Sequence, residues 1–181
     1  MFKSIRYAMV IDTLKCVACG ACALACKSEN EVPQGYQRNW IVQEVKGRFP
    51  VLSMENRSER CQHCDNPPCV AYCPTTASRV EDGGIVTVKQ SLCTGCKACI
   101  AACPYDARFV LPQGVVDKCT FCIHRVRKGR LPACVGICPT ACLHFGDRND
   151  PNSEVSKLLE TREYKLQKNY LGTAPQLYWL I

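Results

Sequence analysis

Sixteen of the seventeen cysteines in this 181-residue chain fall into four groups of four. The first is Cys16, Cys19, Cys22 and Cys26. The second is Cys61, Cys64, Cys69 and Cys73. The third is Cys93, Cys96, Cys99 and Cys103, and the fourth is Cys119, Cys122, Cys134 and Cys138. Thiolates two or three residues apart on a turn converge on a metal centre more readily than they pair in a disulfide framework. The odd total also argues against complete disulfide pairing. Tetrahedral zinc sites use Cys-x-x-Cys units too, but as two well-separated pairs. A third cysteine at the same close interval, and then a fourth, belongs to iron–sulfur chemistry.

Groups one and three share the spacing C-x2-C-x2-C-x3-C. In that run three thiolates cap three irons of one cubane, and the fourth reaches a second cubane. Groups two and four, CQHCDNPPCVAYC and CTFCIHRVRKGRLPACVGIC, read as expanded forms of the same unit. The order compact, expanded, compact, expanded suggests a duplicated two-cluster module. The short interval between groups two and three makes them a local pair, leaving groups one and four to pair across the chain. Spacing favours this wiring.

Cys73, Cys103 and Cys138 are each followed by proline, whereas Cys26 is followed by Lys27. Proline suits the first turn of a helix, so a short helix is expected after each fourth cysteine. Cys142 follows Cys138 one helical turn on and reads as a small buried apolar residue. His63, His124 and His144 are expected to be structural, or to tune nearby sulfurs by hydrogen bonding, because the cysteines already complete the ligand count. No triad, paired catalytic carboxylates or phosphate loop is evident.

Strands must lead into these groups. Alternating apolar positions in Tyr7–Ile11 and Ile85–Val88 predict short strands ahead of groups one and three. Asp82-Gly83-Gly84 marks a turn before the second. The expected fold is α+β, with a ferredoxin-like module used twice. Residues 1–150 form the four-cluster domain. Residues 27–60, with Trp40, Ile41, Val42 and Phe49, form an insertion, part of it strand packed over the clusters. Residues 151–181 form a C-terminal extension. In it, 154–168 is helix-compatible, and the apolar end of LGTAPQLYWLI suggests docking, on a partner in preference to this chain.

Bulk composition agrees with a metal-held fold. Aromatic residues make up only 8% of the chain, so organic core material is thin. The formal charge of +7 would suit nucleic acid, but four clusters with their thiolates add about −8. The basic excess therefore balances buried anions, and no nucleic-acid partner is expected. No stretch reaches the roughly 18 to 20 apolar residues of a membrane span. The start, MFKSIRYAMVID, has no signal-peptide apolar region and no twin arginine. A soluble chain that meets a membrane only through a partner is expected.

The segments CVACGACALACKSENEVP, CDNPPCVAYCPTTAS, CTGCKACIAACPYDARFV, KCTFCIHRVRKGRLPACVGICPT and FGDRNDP resemble the iron–sulfur subunit of the dimethyl sulfoxide reductase family of molybdenum or tungsten enzymes. The resemblance covers nearly the whole chain. The intervening lengths and the LGTAPQLY tail are most similar to the polysulfide and thiosulfate reductase branch. The resemblance implies four [4Fe–4S] clusters. Cluster 1 would be held by Cys16, Cys19, Cys22 and Cys138, and cluster 2 by Cys26, Cys119, Cys122 and Cys134. Cluster 3 would be held by Cys61, Cys64, Cys69 and Cys103, and cluster 4 by Cys73, Cys93, Cys96 and Cys99.

It also implies two partners. One is a large catalytic subunit with a bis-pterin guanine dinucleotide cofactor, facing clusters 1 and 2. The other is an integral membrane subunit that exchanges electrons with quinone, facing clusters 3 and 4. The chain itself would be non-catalytic. Its expected place is peripheral to the cytoplasmic membrane, on the outward face after co-export with the catalytic subunit. The alternative function is a free-standing soluble polyferredoxin, against which the apolar tail and the insertion argue.

Overall fold

The computed structural model describes residues 4–181. Met1, Phe2 and Lys3, part of the amino-terminal segment read above, lie outside the described residues. Strand β1 (Tyr7–Asp12) enters cysteine group one, and helix α1 (Ala21–Glu29) carries Cys22 and Cys26. A hairpin follows, β2 (Asn39–Arg48) and β3 (Val51–Arg60), and then α2 (Pro68–Ala71). Strands β4 (Ser78–Glu81) and β5 (Ile85–Val88) flank the Asp82–Gly84 turn and precede α3 (Ala98–Ala101). The chain continues through β6 (Phe109–Val110), β7 (Val116–Asp117), α4 (Ile123–Val126) and α5 (Ala133–Gly136). It ends with β8 (Leu143–Asp147), α6 (Glu154–Thr161), β9 (Tyr164–Lys165) and β10 (Leu177–Leu180). The content is mixed helix and strand in small sheets.

The largest sheet has the order β8-β1-β10-β9. Strand β1 runs antiparallel to β8 and parallel to β10. Its residues are buried on both faces, not alternately, because each face has a cover. Met9 and Ile11 face the cysteine-rich core. Ala8 and Val10 pack on Val155, Leu158 and Leu159 of α6. Ser153 caps α6 by accepting from the Ser156 N–H at 3.1 Å. A second hairpin repeats one pairing. The strand before group one (β1) pairs with the strand after group four (β8), and the strand before group three (β5) pairs with the strand after group two (β4).

Four expectations need correction. The short helices do not follow the fourth cysteines. Helices α2, α3 and α5 carry the third cysteines, Cys69, Cys99 and Cys134, and end before the fourth. Pro74, Pro104 and Pro139 lie in turns, not in a first helical turn. Proline disfavours helical backbone in the residue before it, so it stops each helix at the cysteine. In group one Lys27 replaces proline, and α1 runs on through Cys26 to Glu29.

The insertion packs over the cluster domain only at its base, where Asn39, Ser58 and Arg60 are buried. Its tip projects, with Phe49 84% and Val51 79% exposed. Of the 154–168 stretch, only Glu154–Thr161 is helix. The apolar tail docks on this chain. Met9 pairs with Leu177 and Ile11 with Trp179, and Leu177–Leu180 is buried throughout. Residues 151–181 therefore complete the sheet that β1 begins. Among the described residues no helix is long and apolar enough to cross a membrane.

Candidate iron–sulfur centres

Each cysteine group begins on a loop bent the same way. The residue before the second cysteine, Ala18, His63, Gly95 or Phe121, has positive φ in all four groups. That left-handed residue bends the loop between the first two cysteines. Non-glycine residues adopt it at a cost of about 1 kcal/mol or more. At Gly95 no alternative fits, since an added Cβ would lie 2.2 Å from the Gly114 carbonyl oxygen. The helix then presents the third cysteine.

The loops bring the cysteines together in fours. One cavity, with about 310 Å³ of empty space, is lined by Cys16, Cys19, Cys22 and Cys138, with Cys142 on its wall. A second, of about 300 Å³, is lined by Cys61, Cys64, Cys69 and Cys103. A third, also about 300 Å³, is lined by Cys73, Cys93, Cys96 and Cys99. The remaining four are wholly buried, and Cys26 has Cys119, Cys134 and Cys122 as electrostatic neighbours. Among the described residues no three His, Cys, Asp or Glu side chains converge on a point as one metal ion requires. The thiols ring cavities instead.

The sets adjoin one another. Helix α1 carries Cys22 of one set and Cys26 of the next. Cys119 and Cys61 are electrostatic neighbours, and Cys69 and Cys73 flank the end of α2. Only Cys19 and Cys96, at the two ends of this succession, are exposed.

Burial pushes the Cys64 and Cys119 thiols up to about 12, with neighbouring cysteines adding to the effect. Such sites suit ligation, in which a metal compensates the thiolate charge. Other charges point the same way. Arg60, Lys118 and Arg108 are 1%, 0% and 5% exposed. The ion pairs among the described residues involve other cations. Arg60 Nη1 donates to Cys134 Sγ at 3.0 Å and Arg108 Nη2 to Cys69 Sγ at 2.8 Å. Lys118 Nζ donates to the Val86 and Cys119 carbonyls.

Burial works against the Arg60 charge. The sulfurs of Cys134, Cys119, Cys22 and Cys26 outweigh it and hold the guanidinium above its ordinary value. Buried cations need buried anions, and Arg60 Nε, Arg108 Nε and Arg108 Nη1 have no partner among the described residues. Anionic clusters in thiolate-lined cavities fit that demand. Amides and a carboxamide also face sulfur. Ser78 N donates to Cys73 Sγ at 3.3 Å and Val116 N to Cys93 Sγ at 3.4 Å. Asn30 Nδ2 stands 3.7 Å from Cys26 Sγ and 3.8 Å from Cys122 Sγ.

The 4Fe-4S dicluster domain matches residues 52–148, which hold groups two, three and four. A 4Fe-4S binding domain matches residues 9–29, which hold group one. One of the chains of the polysulfide reductase of Wolinella succinogenes is 44% identical over 96% of this chain and 93% of its own length. The chain belongs to the 4Fe-4S dicluster family of reductase iron–sulfur subunits. Protein NrfC of Escherichia coli is 48% identical over 97% of this chain and 81% of its own length. Thiosulfate reductase electron transfer subunit PhsB of Salmonella typhi is 40% identical over 96% and 91%. As a member of this family the chain has [4Fe–4S] clusters as its cofactor.

The histidines take structural places. His63 is fully buried, stacks on Phe121 at 3.6 Å and accepts the Val86 N–H at Nδ1. Burial, and then the charges of Lys118, Arg6, Arg108 and Arg60, hold its pKa well below the ordinary value, so the ring stays neutral. His124 and Arg125 both bind Glu29, tying α4 to α1. Their hydrogen bonds, that from His124 first, hold the Glu29 carboxyl below its usual range. His144 pairs with Glu154 on the surface. Cys142 is buried, 3.4 Å from Cys138 Sγ.

The buried cations were not legible as site residues in the sequence. Their one signal is adjacency, since Arg60 and Lys118 directly precede Cys61 and Cys119.

Proposed function

We propose that the chain is the non-catalytic electron-transfer subunit of a multi-subunit reductase and carries four [4Fe–4S] clusters. Cys16, Cys19, Cys22 and Cys138 would hold the first, and Cys26, Cys119, Cys122 and Cys134 the second. Cys61, Cys64, Cys69 and Cys103 would hold the third, and Cys73, Cys93, Cys96 and Cys99 the fourth. The architecture would be a two-cluster ferredoxin module used twice, which the repeated strand pairing supports. Such clusters, when bound, supply one-electron transfer at potentials set by burial, charge and hydrogen bonds to sulfur. The protein supplies the rest. Its loops aim the thiolates, its core buries seven of the eight thiols of the two inner sets, and its buried cations offset negative charge.

The observation that carries this reading is the pattern of exposure. Four adjoining sets run through the molecule, and the exposed cysteines, Cys19 and Cys96, belong to the first and last. A conductor needs two accessible ends and an insulated middle. The end at Cys19 would meet a large pterin-containing catalytic subunit. The end at Cys96 would meet an integral membrane subunit that exchanges electrons with quinone. The complex would be of the polysulfide or thiosulfate reductase kind, at the outward face of the cytoplasmic membrane. Relatives whose names make them one chain or one subunit of a polysulfide or tetrathionate reductase support a multi-subunit setting. The apolar tail lends no support, because it is buried in its own sheet.

Purification of the native complex tests the proposal. Co-elution with a much larger pterin-containing chain and a membrane chain is expected. Recovery of this polypeptide alone, with its clusters intact, would replace the proposal by the free-standing polyferredoxin.

A further inference from the structure

Two buried arginines make the same contacts in the two halves of the cysteine framework. Arg60 Nη1 donates to Cys134 Sγ at 3.0 Å, and Arg108 Nη2 donates to Cys69 Sγ at 2.8 Å. Cys134 and Cys69 are the third cysteines of the two expanded groups, each in a short helix behind proline. Each guanidinium also binds a serine. Arg60 Nη2 donates to Ser58 Oγ, and Arg108 Nη2 donates to Ser78 Oγ at 2.9 Å.

Each serine touches a cysteine of a different set. Ser58 Oγ lies 3.4 Å from Cys22 Sγ, and Ser78 N donates to Cys73 Sγ at 3.3 Å. Because Ser58 Oγ accepts from Arg60, its own proton is free for the Cys22 sulfur. Two chains of contact result, Cys134–Arg60–Ser58–Cys22 and Cys69–Arg108–Ser78–Cys73. The residues that make them come from unlike places. Ser58 and Arg60 lie on β3, whereas Ser78 begins β4 and Arg108 follows Cys103. A comparable bridge is built twice from different local sequence, closed on Cys22 by the Ser58 hydroxyl and on Cys73 by the Ser78 backbone N–H, which packing alone does not require.

We propose that Arg60 with Ser58, and Arg108 with Ser78, are positioning residues that set the reduction potentials of the two clusters each bridge spans. The inference rests on the ligand sets given under Proposed function. Adding one electron makes a cluster more negative, and a nearby fixed cation favours that state. A guanidinium holds its charge at every accessible pH. Buried as these are, salt screens them little. One charge placed between two clusters raises both potentials together and leaves the step between them little changed.

The test is an EPR-monitored redox titration of the purified complex, with iron content measured on the same sample. Arg60→Met removes the charge and keeps most of the volume. The clusters of Cys22 and Cys134 should shift to lower potential while the other two stay unchanged. Arg108→Met should do the reverse, and Arg60→Lys should keep most of the original potentials. Unchanged potentials in Arg60→Met at full iron content would overturn the inference. So would an equal shift of all four clusters, or a shift in Arg60→Lys as large as in Arg60→Met. If Arg60→Met fails to assemble, Ser58→Ala decides, since it leaves the charge and removes the hydroxyl that joins Arg60 to Cys22. A downward shift confined to the cluster of Cys22 supports the bridge, and no shift overturns it. Failure of the underlying ligand assignment would show separately, as missing iron in the unsubstituted protein.

Discussion

Cys96 is exposed while Cys119 and Cys134 are fully enclosed, so removing a single thiol has different consequences along the chain. Cys96→Ser should damage the set it shares with Cys73, Cys93 and Cys99 and leave the other three loaded. Quinol-driven turnover of the complex should be lost, while dye-driven activity of the catalytic subunit persists. An equal fall in both rates would contradict placing that set at the quinone end. The grouping of the cysteines was legible because iron–sulfur ligation imposes short, local spacing. Arg60 and Arg108 were not, because each reaches its sulfur across a sequence distance of tens of residues. The excess of basic residues hinted only that buried cations exist, without saying which.

Helices α2, α3 and α5 are one turn long, and each stops where proline follows the next cysteine. The sequence shows those prolines plainly. Reading them as helix starters set the helix on the wrong side, because proline is equally suited to follow a helix it cannot continue. Strands β1 and β5 were readable from their apolar runs. The partner of β1 on one side, β10, lies at the far end of the chain, and no local pattern announces a pairing that distant. The apolar tail is thus core. Leu177, with no exposure, is the sharpest probe. Leu177→Ala should cost about 2–5 kcal/mol, seen as a lower urea midpoint for loss of cluster absorbance. Val45→Ser, on the projecting hairpin, should move that midpoint little, by about 0.5 kcal/mol or less. Equal shifts would mean the tail is not integral to the sheet.

The largest core of the molecule is built as much from cysteine as from hydrocarbon. Cys16, Cys22, Cys61, Cys64, Cys119 and Cys134 stand in the same buried cluster as Met9, Ile11, Phe121 and Trp179. Folding and cluster binding are therefore expected to be one process. Chelation of iron under oxidising conditions should abolish most of the far-UV circular dichroism along with the brown colour. Native-like secondary structure in the iron-free chain would contradict that coupling. The charge balance belongs to this scale too. A chain of formal charge +7 approaches neutrality only with several anionic clusters inside it.

Iron and acid-labile sulfide, counted per chain in protein kept anaerobic throughout purification, test the central claim most directly. Four cubanes in the four cysteine sets predict about sixteen of each and no stoichiometric zinc. Zinc in place of iron, or iron and sulfide for fewer than three cubanes, would contradict it.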